Sequence, residues 1–268
     1  MQMDGYYTHA MPTPCIFCDN NSGSREHFWP KWIHRRHQFG PLKMERRGRD
    51  RVVIPDPELT VKTVCTGCNN GWMSSLETES IPVLGAMVDD RPVDLSVAQQ
   101  TLIAAWSVKT AMMSDSMKGR SAVNVFYTRG DCSGMRVGRS IPERTLVWIG
   151  RIDGMHLANA GTDFMLNDQM GKPLASCIAT TIVAGHFVTQ VVTVHLEQPE
   201  GRLDAIPCKV GDWDLNLEQI WPIQKPVAAW PPPVSFTNGG PEAIAYLLDR
   251  WRIGAETDII ANPHSTGG

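Results

Sequence analysis

The sequence predicts an α+β protein in two parts. A small cysteine-stapled domain comes first, and an α/β domain with a mainly antiparallel sheet and flanking helices follows. Three observations carry this. Four of the seven cysteines fall in two C-x-x-C pairs, Cys15/Cys18 and Cys65/Cys68. Short alternating runs rich in β-branched residues crowd the stretch from 144 to 196. Amphipathic helical patterns stand at either end of the second part.

The elements follow in order. Residues 1–12 read as a flexible tail and 13–88 as the small domain. "VDDRPVDLS" breaks the pattern near residue 90 with charge and proline. Residues 92–255 form the second domain, and 256–268 a second loose tail. Ser96 and Gln99 make a capping box, in which each side chain satisfies a free backbone N–H at the helix start. Leu102, Ile103, Trp106, Thr110 and Met113 then share one face. Strands are expected at 122–128, 144–150 and 155–161. "SCIATTIV" and "FVTQVVTVHL" flank Ala184-Gly185-His186 as a hairpin, with His186 exposed at its tip and Cys177 in the core. "WPIQKPVAAWPPPVSF" reads as an extended wrap over the surface. "PEAIAYLLDRW" is a closing helix begun by Pro241, with Ile244, Leu247, Leu248 and Trp251 on one face.

Charge is uneven along the chain. Net charge is −3, yet Arg25 to Arg51 holds nine Lys/Arg against three Asp/Glu. A basic segment in an acidic chain points to a phosphate-bearing partner met at one place. No apolar run approaches the ~18 residues that a membrane helix needs, and the N-terminus lacks a secretory pattern. The odd cysteine count then favours metal binding in a reducing, cytoplasmic compartment over a disulfide framework.

The C-x-x-C pairs provide four soft ligands in two turn-sized units. Such turns let both sulfurs face one point, and two of them complete a tetrahedron around Zn2+. Four thiolates leave no open position, so this zinc is structural. The 46 residues between the pairs are a long loop for a compact ribbon, so something substantial is looped out. That loop contains Glu26-His27, and Asn69-Asn70 follows the second pair at once.

Here the sequence resembles the HNH, or ββα-metal, endonucleases. In that family an acidic residue and a histidine end a first strand, and a second strand and a helix beginning with His or Asn follow. In its zinc-bearing branch, the second C-x-x-C runs directly into that His or Asn. "REHFWP" and then "CTGCNNGW" appear in this order, and the resemblance covers about residues 13–80. "LIAAWSVKTAM" and "IWP…WPP" also look like segments of bacterial and phage HNH-containing proteins.

The resemblance implies a metal-dependent DNA endonuclease in a bacterial or phage-infected cell. His27 would be the general base, since imidazole titrates near neutral pH. Glu26 and Asn69 would hold one divalent ion, Mg2+ or Mn2+. Asn69 is preferred to Asn70 because it abuts Cys68. Products with 5′-phosphate and 3′-hydroxyl ends are implied. Arg25, Lys31, Arg35, Arg36, Lys43, Arg46, Arg47, Arg49 and Arg51 would contact DNA phosphates. Cutting both strands with one site per chain would call for a homodimer. Trp29 and Trp32 are expected in the core around the zinc turn, and His34 and His37 at the surface. One departure stands out: no asparagine occurs from Phe28 to Gly67, where the family carries a bracing one. The rival reading is a non-catalytic zinc-dependent nucleic-acid-binding module.

Overall fold

A computed structural model describes residues 13–45, 52–54, 58–117, 125–167, 170–197, 216–237 and 257–261. It is a mixed helix-and-sheet fold in which every paired strand is antiparallel. Among the described residues no helix is long and apolar enough to cross a membrane. The expected tail at 1–12, the closing helix at 241–251, and Arg46, Arg47, Arg49 and Arg51 lie outside the described residues.

Strand β1 (Ser24–His27) pairs with β4 (Thr60–Val64), placing Glu26 opposite Val61 and His27 opposite Thr60. Between them run α1 (Lys31–Arg36), β2 (Leu42–Glu45) and β3 (Val52–Ile54). After β4 come a short helical turn, α2 (Thr66–Cys68), a π-type turn at Asn69–Met73 and α3 (Ser74–Val88). Two strands followed by a helix therefore do frame the Glu-His and Asn positions.

Strand β5 (Val93–Ser96) leads into α4 (Val97–Ser116) through the expected capping box at Ser96 and Gln99. Nearly the whole of α4 is buried, because α3 packs on one side of it and the large sheet on another. Helix α5 (Arg129–Gly138) was not expected. Thr128 caps it through Asp131, and residues 125–128, read as part of a strand, instead form the turn leading to that cap.

The large sheet is built on two long strands, β6 (Thr145–Asn167) and β7 (Pro173–Leu196). The runs expected at 144–150 and 155–161 belong to the single strand β6. The hairpin expected at 184–186 is no hairpin: β7 passes straight through it. The pairing with β6 merely loses register between Arg151 and His156, and Gly185 takes φ +63° at that bend. A Cβ there would come within 2.6 Å of the Val88 carbonyl oxygen, so glycine lets β7 touch the end of α3. His186 is accordingly not an exposed tip residue: its ring contacts the Ile152 carbonyl at 2.9 Å and is largely covered.

Strand β8 (Leu217–Trp221), on β6, leads into the proline-rich stretch, which itself supplies one short strand, β9 (Val227–Trp230), on β5. Cis peptides precede Pro222 and Pro231. Residues 257–261, assigned to a loose tail, form β10 (Thr257–Ala261). That strand bridges β2 and β6, and its backbone finds partners on both edges.

One apolar cluster runs through both halves of the chain, from Cys15, Phe28 and Trp29 through Trp106 to Phe187 and Trp230. Trp29 donates its indole N–H to the Val183 carbonyl at 2.9 Å, and Phe28 meets Trp29 edge-on at 4.7 Å. Both Trp29 and Trp32 are core residues, as their sequence context suggested, and so is Cys177.

Candidate functional site

The first cysteine turn is closed by Cys15 N–H to the Asn20 carbonyl and is fastened to β4 by Ile16 N–H to the Thr63 carbonyl. The second opens α2, where the Cys65 sulfur accepts the Cys68 N–H at 3.3 Å. The four sulfurs lie within 4.8 Å of one another, with Cys18 to Cys65 at 3.5 Å and Cys18 to Cys68 at 3.6 Å. Sulfurs held at about 2.3 Å from a tetrahedral zinc stand roughly 3.8 Å apart, so the cluster suits a metal such as zinc. Burial opposes ionisation of Cys65, but the Cys68 amide and the neighbouring thiols outweigh it and lower that thiol to about 7. Burial pushes Cys68 and Cys15 upward. Four thiols so close together cannot all ionise without a cation among them.

Strand β1 leaves this staple and sends successive side chains to opposite faces. Glu26 points inward and is 6% exposed. Among the described residues nothing hydrogen-bonds its carboxylate. Burial raises it to about 7; the charge of Lys109 opposes this and that of Glu77 adds to it. A buried carboxylate with no hydrogen bond is costly unless a cation meets it.

His27 points outward with 17% of its side chain exposed, and its Nε2 lies 3.2 Å from Glu58 Oε2. A carboxylate only accepts, so Nε2 carries a proton in that contact, and Nδ1 is the acceptor whenever the ring is neutral. Asn69 begins the π-type turn, and its Nδ2 donates to Ser24 Oγ at 2.7 Å. Ser24 lies two residues before Glu26 on β1, so the helix start is tied to the Glu-His strand. With its amide nitrogen committed, the Asn69 amide oxygen is left as an acceptor. Asn70 is exposed beside it.

Trp72 meets Phe17 of the first cysteine turn edge-on at 4.9 Å, and Leu76 is fully buried. Of the basic candidates, Arg25, Lys31 and Arg35 are exposed. Arg36 is committed to Asp89 at 2.6 Å and stacks over Trp32. Lys43 lies on β2, on the edge strand pair of the large sheet. His37 also pairs with Asp89, at 2.8 Å, so it serves the junction between α1 and the end of α3.

Three neighbours of the site were not anticipated: Glu58, Glu77 and Lys109. Lys109 left a signal in the sequence, since it is the single charge in the apolar run "LIAAWSVKTAMM" of α4. Glu58 and Glu77 are ordinary acidic residues in sequence, and only the fold brings them near β1.

Comparison of the chain with protein-family models, curated proteins and solved structures returned no match.

Proposed function

We propose that the protein is a zinc-stapled, metal-dependent DNA endonuclease of the HNH type, hydrolysing phosphodiester bonds at a site built from Glu26, His27 and Asn69. The observation that carries this reading is the Glu26 carboxylate: buried, without a hydrogen bond among the described residues, and adjacent in sequence to a histidine whose Nδ1 is left open. The frame of two antiparallel strands and a helix, with Asn69 at the helix start, supports it further.

Each residue has a role that its surroundings suit. Cys15, Cys18, Cys65 and Cys68 hold structural zinc and fix the helix start against β1. Glu26 and the Asn69 amide oxygen hold Mg2+ or Mn2+, hard ions that prefer such oxygen donors. Held there, such an ion would supply charge stabilisation to the phosphorane-like transition state and to the departing 3′ oxygen. His27 Nδ1 takes the proton of the attacking water. Glu58 holds the ring in the required tautomer and stabilises the imidazolium that forms. Arg25, Lys31 and Arg35 present exposed charge to DNA phosphates near β1 and α1. Cleavage of both strands requires a second copy or a second encounter.

The test is cleavage of supercoiled plasmid by zinc-loaded protein in Mg2+ or Mn2+, wild type against His27→Ala. Nicking or linearisation lost in the variant is the expected result. No cleavage by the folded wild type in either metal, with salt-sensitive DNA binding intact, would refute the enzyme and leave a nucleic-acid-binding module.

A further inference from the structure

The outer face of the β1–β4 pair sets two cations against each other. Strand pairing places Ser24 opposite Val64 and Glu26 opposite Val61, so Arg25 of β1 faces Lys62 and Thr63 of β4 across a bulge. Val61 and Val64 are buried, and the Thr63 hydroxyl lies 3.0 Å from that of Ser116 on α4. Lys62 is the exposed residue of that stretch. Arg25 is exposed too, and strand alternation puts it on the same face as His27. Like charges facing each other on paired strands are destabilising. Among the described residues neither cation has an ion-pair partner, whereas Arg36, Arg91, Arg129, Arg139, Arg144 and Arg151 each meet a carboxylate. Glu58, the acid placed at this face, meets His27.

We propose that Arg25 and Lys62 form a two-pronged anion site that holds one backbone phosphate of the nucleic acid beside His27. This deepens the reading above and rests on nucleic acid being what meets this face. Lys62 lies outside the basic segment of the sequence, and the strand register alone brings it to Arg25. A phosphate between the prongs turns one repulsion into two attractions. Arginine can take two of its oxygens, and lysine acts as a point charge. Among the described residues no Phe, Tyr or Trp side chain is exposed, so none offers a stacking platform to an unpaired base. What the site grips is therefore the phosphodiester, which duplex and single strand share. It positions the backbone without reading sequence.

The experiment is binding of fluorescein-labelled DNA by zinc-loaded, full-length protein without other divalent ions, followed by anisotropy over a range of NaCl. Lys62→Gln and Arg25→Gln are each expected to bind about tenfold more weakly at about 0.1 M salt, with a log–log salt slope shallower by about one. Lys62→Arg stays near wild type, and so does Lys225→Gln, which removes a remote cation paired with Glu218. Without DNA, the first two variants should melt about 1–2 °C above wild type, because the repulsion is gone. A residue of purely structural value would move the melting temperature the other way. Unchanged slopes in both glutamine variants overturn the proposal. So does equal weakening by Lys225→Gln, or a lower melting temperature or lost fold in both glutamine variants. A duplex and a single strand of equal length are run in parallel. A loss confined to one form assigns the phosphate to that form, and a loss on both assigns it to the shared backbone. Plasmid cleavage separates the two readings. Weakened binding by the variants without any nicking by wild type removes the endonuclease and keeps the anion site, whereas nicking with unchanged slopes does the reverse.

Discussion

Glu26→Gln is expected to make the protein more stable at neutral pH in buffer free of divalent ions other than zinc. The folded protein holds this carboxyl at about 7 against an ordinary value of 4.5, chiefly through burial. At about 1.4 kcal/mol per pH unit, that gap corresponds to about 3 kcal/mol. The sign follows from which state binds the proton more tightly. The folded state does, so its advantage is complete below pH ~4.5 and is lost as pH rises through about 7. Wild type should therefore lose about 3 kcal/mol between pH 4.5 and 8 relative to the glutamine variant, whose amide has no proton to lose. Urea unfolding at several pH values, with zinc held stoichiometric, gives the two curves. Parallel curves would refute the reading of Glu26 as a carboxyl that burial holds well above its ordinary value. Millimolar Mn2+ at pH 8 should restore much of the loss in wild type and do nothing for the variant.

Four further outcomes are expected. Cys68→Ser should abolish stoichiometric zinc by elemental analysis and cost on the order of 10 kcal/mol of metal-coupled folding energy, seen as loss of the cooperative melt. Trp29→Phe removes the indole donor to the Val183 carbonyl and should cost about 1–2 kcal/mol by denaturant unfolding; no change would mean the carbonyl finds another donor. Glu58→Gln should lower the plasmid-cleavage rate by about tenfold or more without moving the melting temperature by more than a few degrees, because it removes the charge facing the His27 ring but buries nothing. Ser96→Ala should cost about 1 kcal/mol through loss of the capping box at the start of α4.

Local chemistry was the part legible in the sequence. The cysteine turns, the strand carrying Glu26-His27, the helix opening at Asn69 and the Ser96 capping box each depend on a few neighbouring residues, and each appears at its expected place. Long-range pairing was not legible. Ala184-Gly185-His186 looks like a turn because glycine with flanking β-branched runs is a turn signal, yet φ +63° there serves a bend against the Val88 carbonyl. Residues 257–261 look like a loose end because their partners, β2 and β6, lie far away in the chain. The same limit hid Glu58 and Glu77. Lys109 was the exception: a lone charge inside an apolar helical run must be paired, and the pattern alone asks with what.

The bond between Trp29 and the Val183 carbonyl spans 154 residues and sets a timetable for biosynthesis. The zinc turns are complete in the nascent chain once Cys68 has emerged, but the surface that receives Phe28, Trp29 and Ile33 includes β7 and α4, which are made later. A chain stalled after α3 would therefore present the four clustered thiols and an acidic-histidine strand with a raw apolar underside, prone to aggregate. The apolar core beneath β1 waits for the middle of the large sheet, so a truncated product is a client for proteolysis.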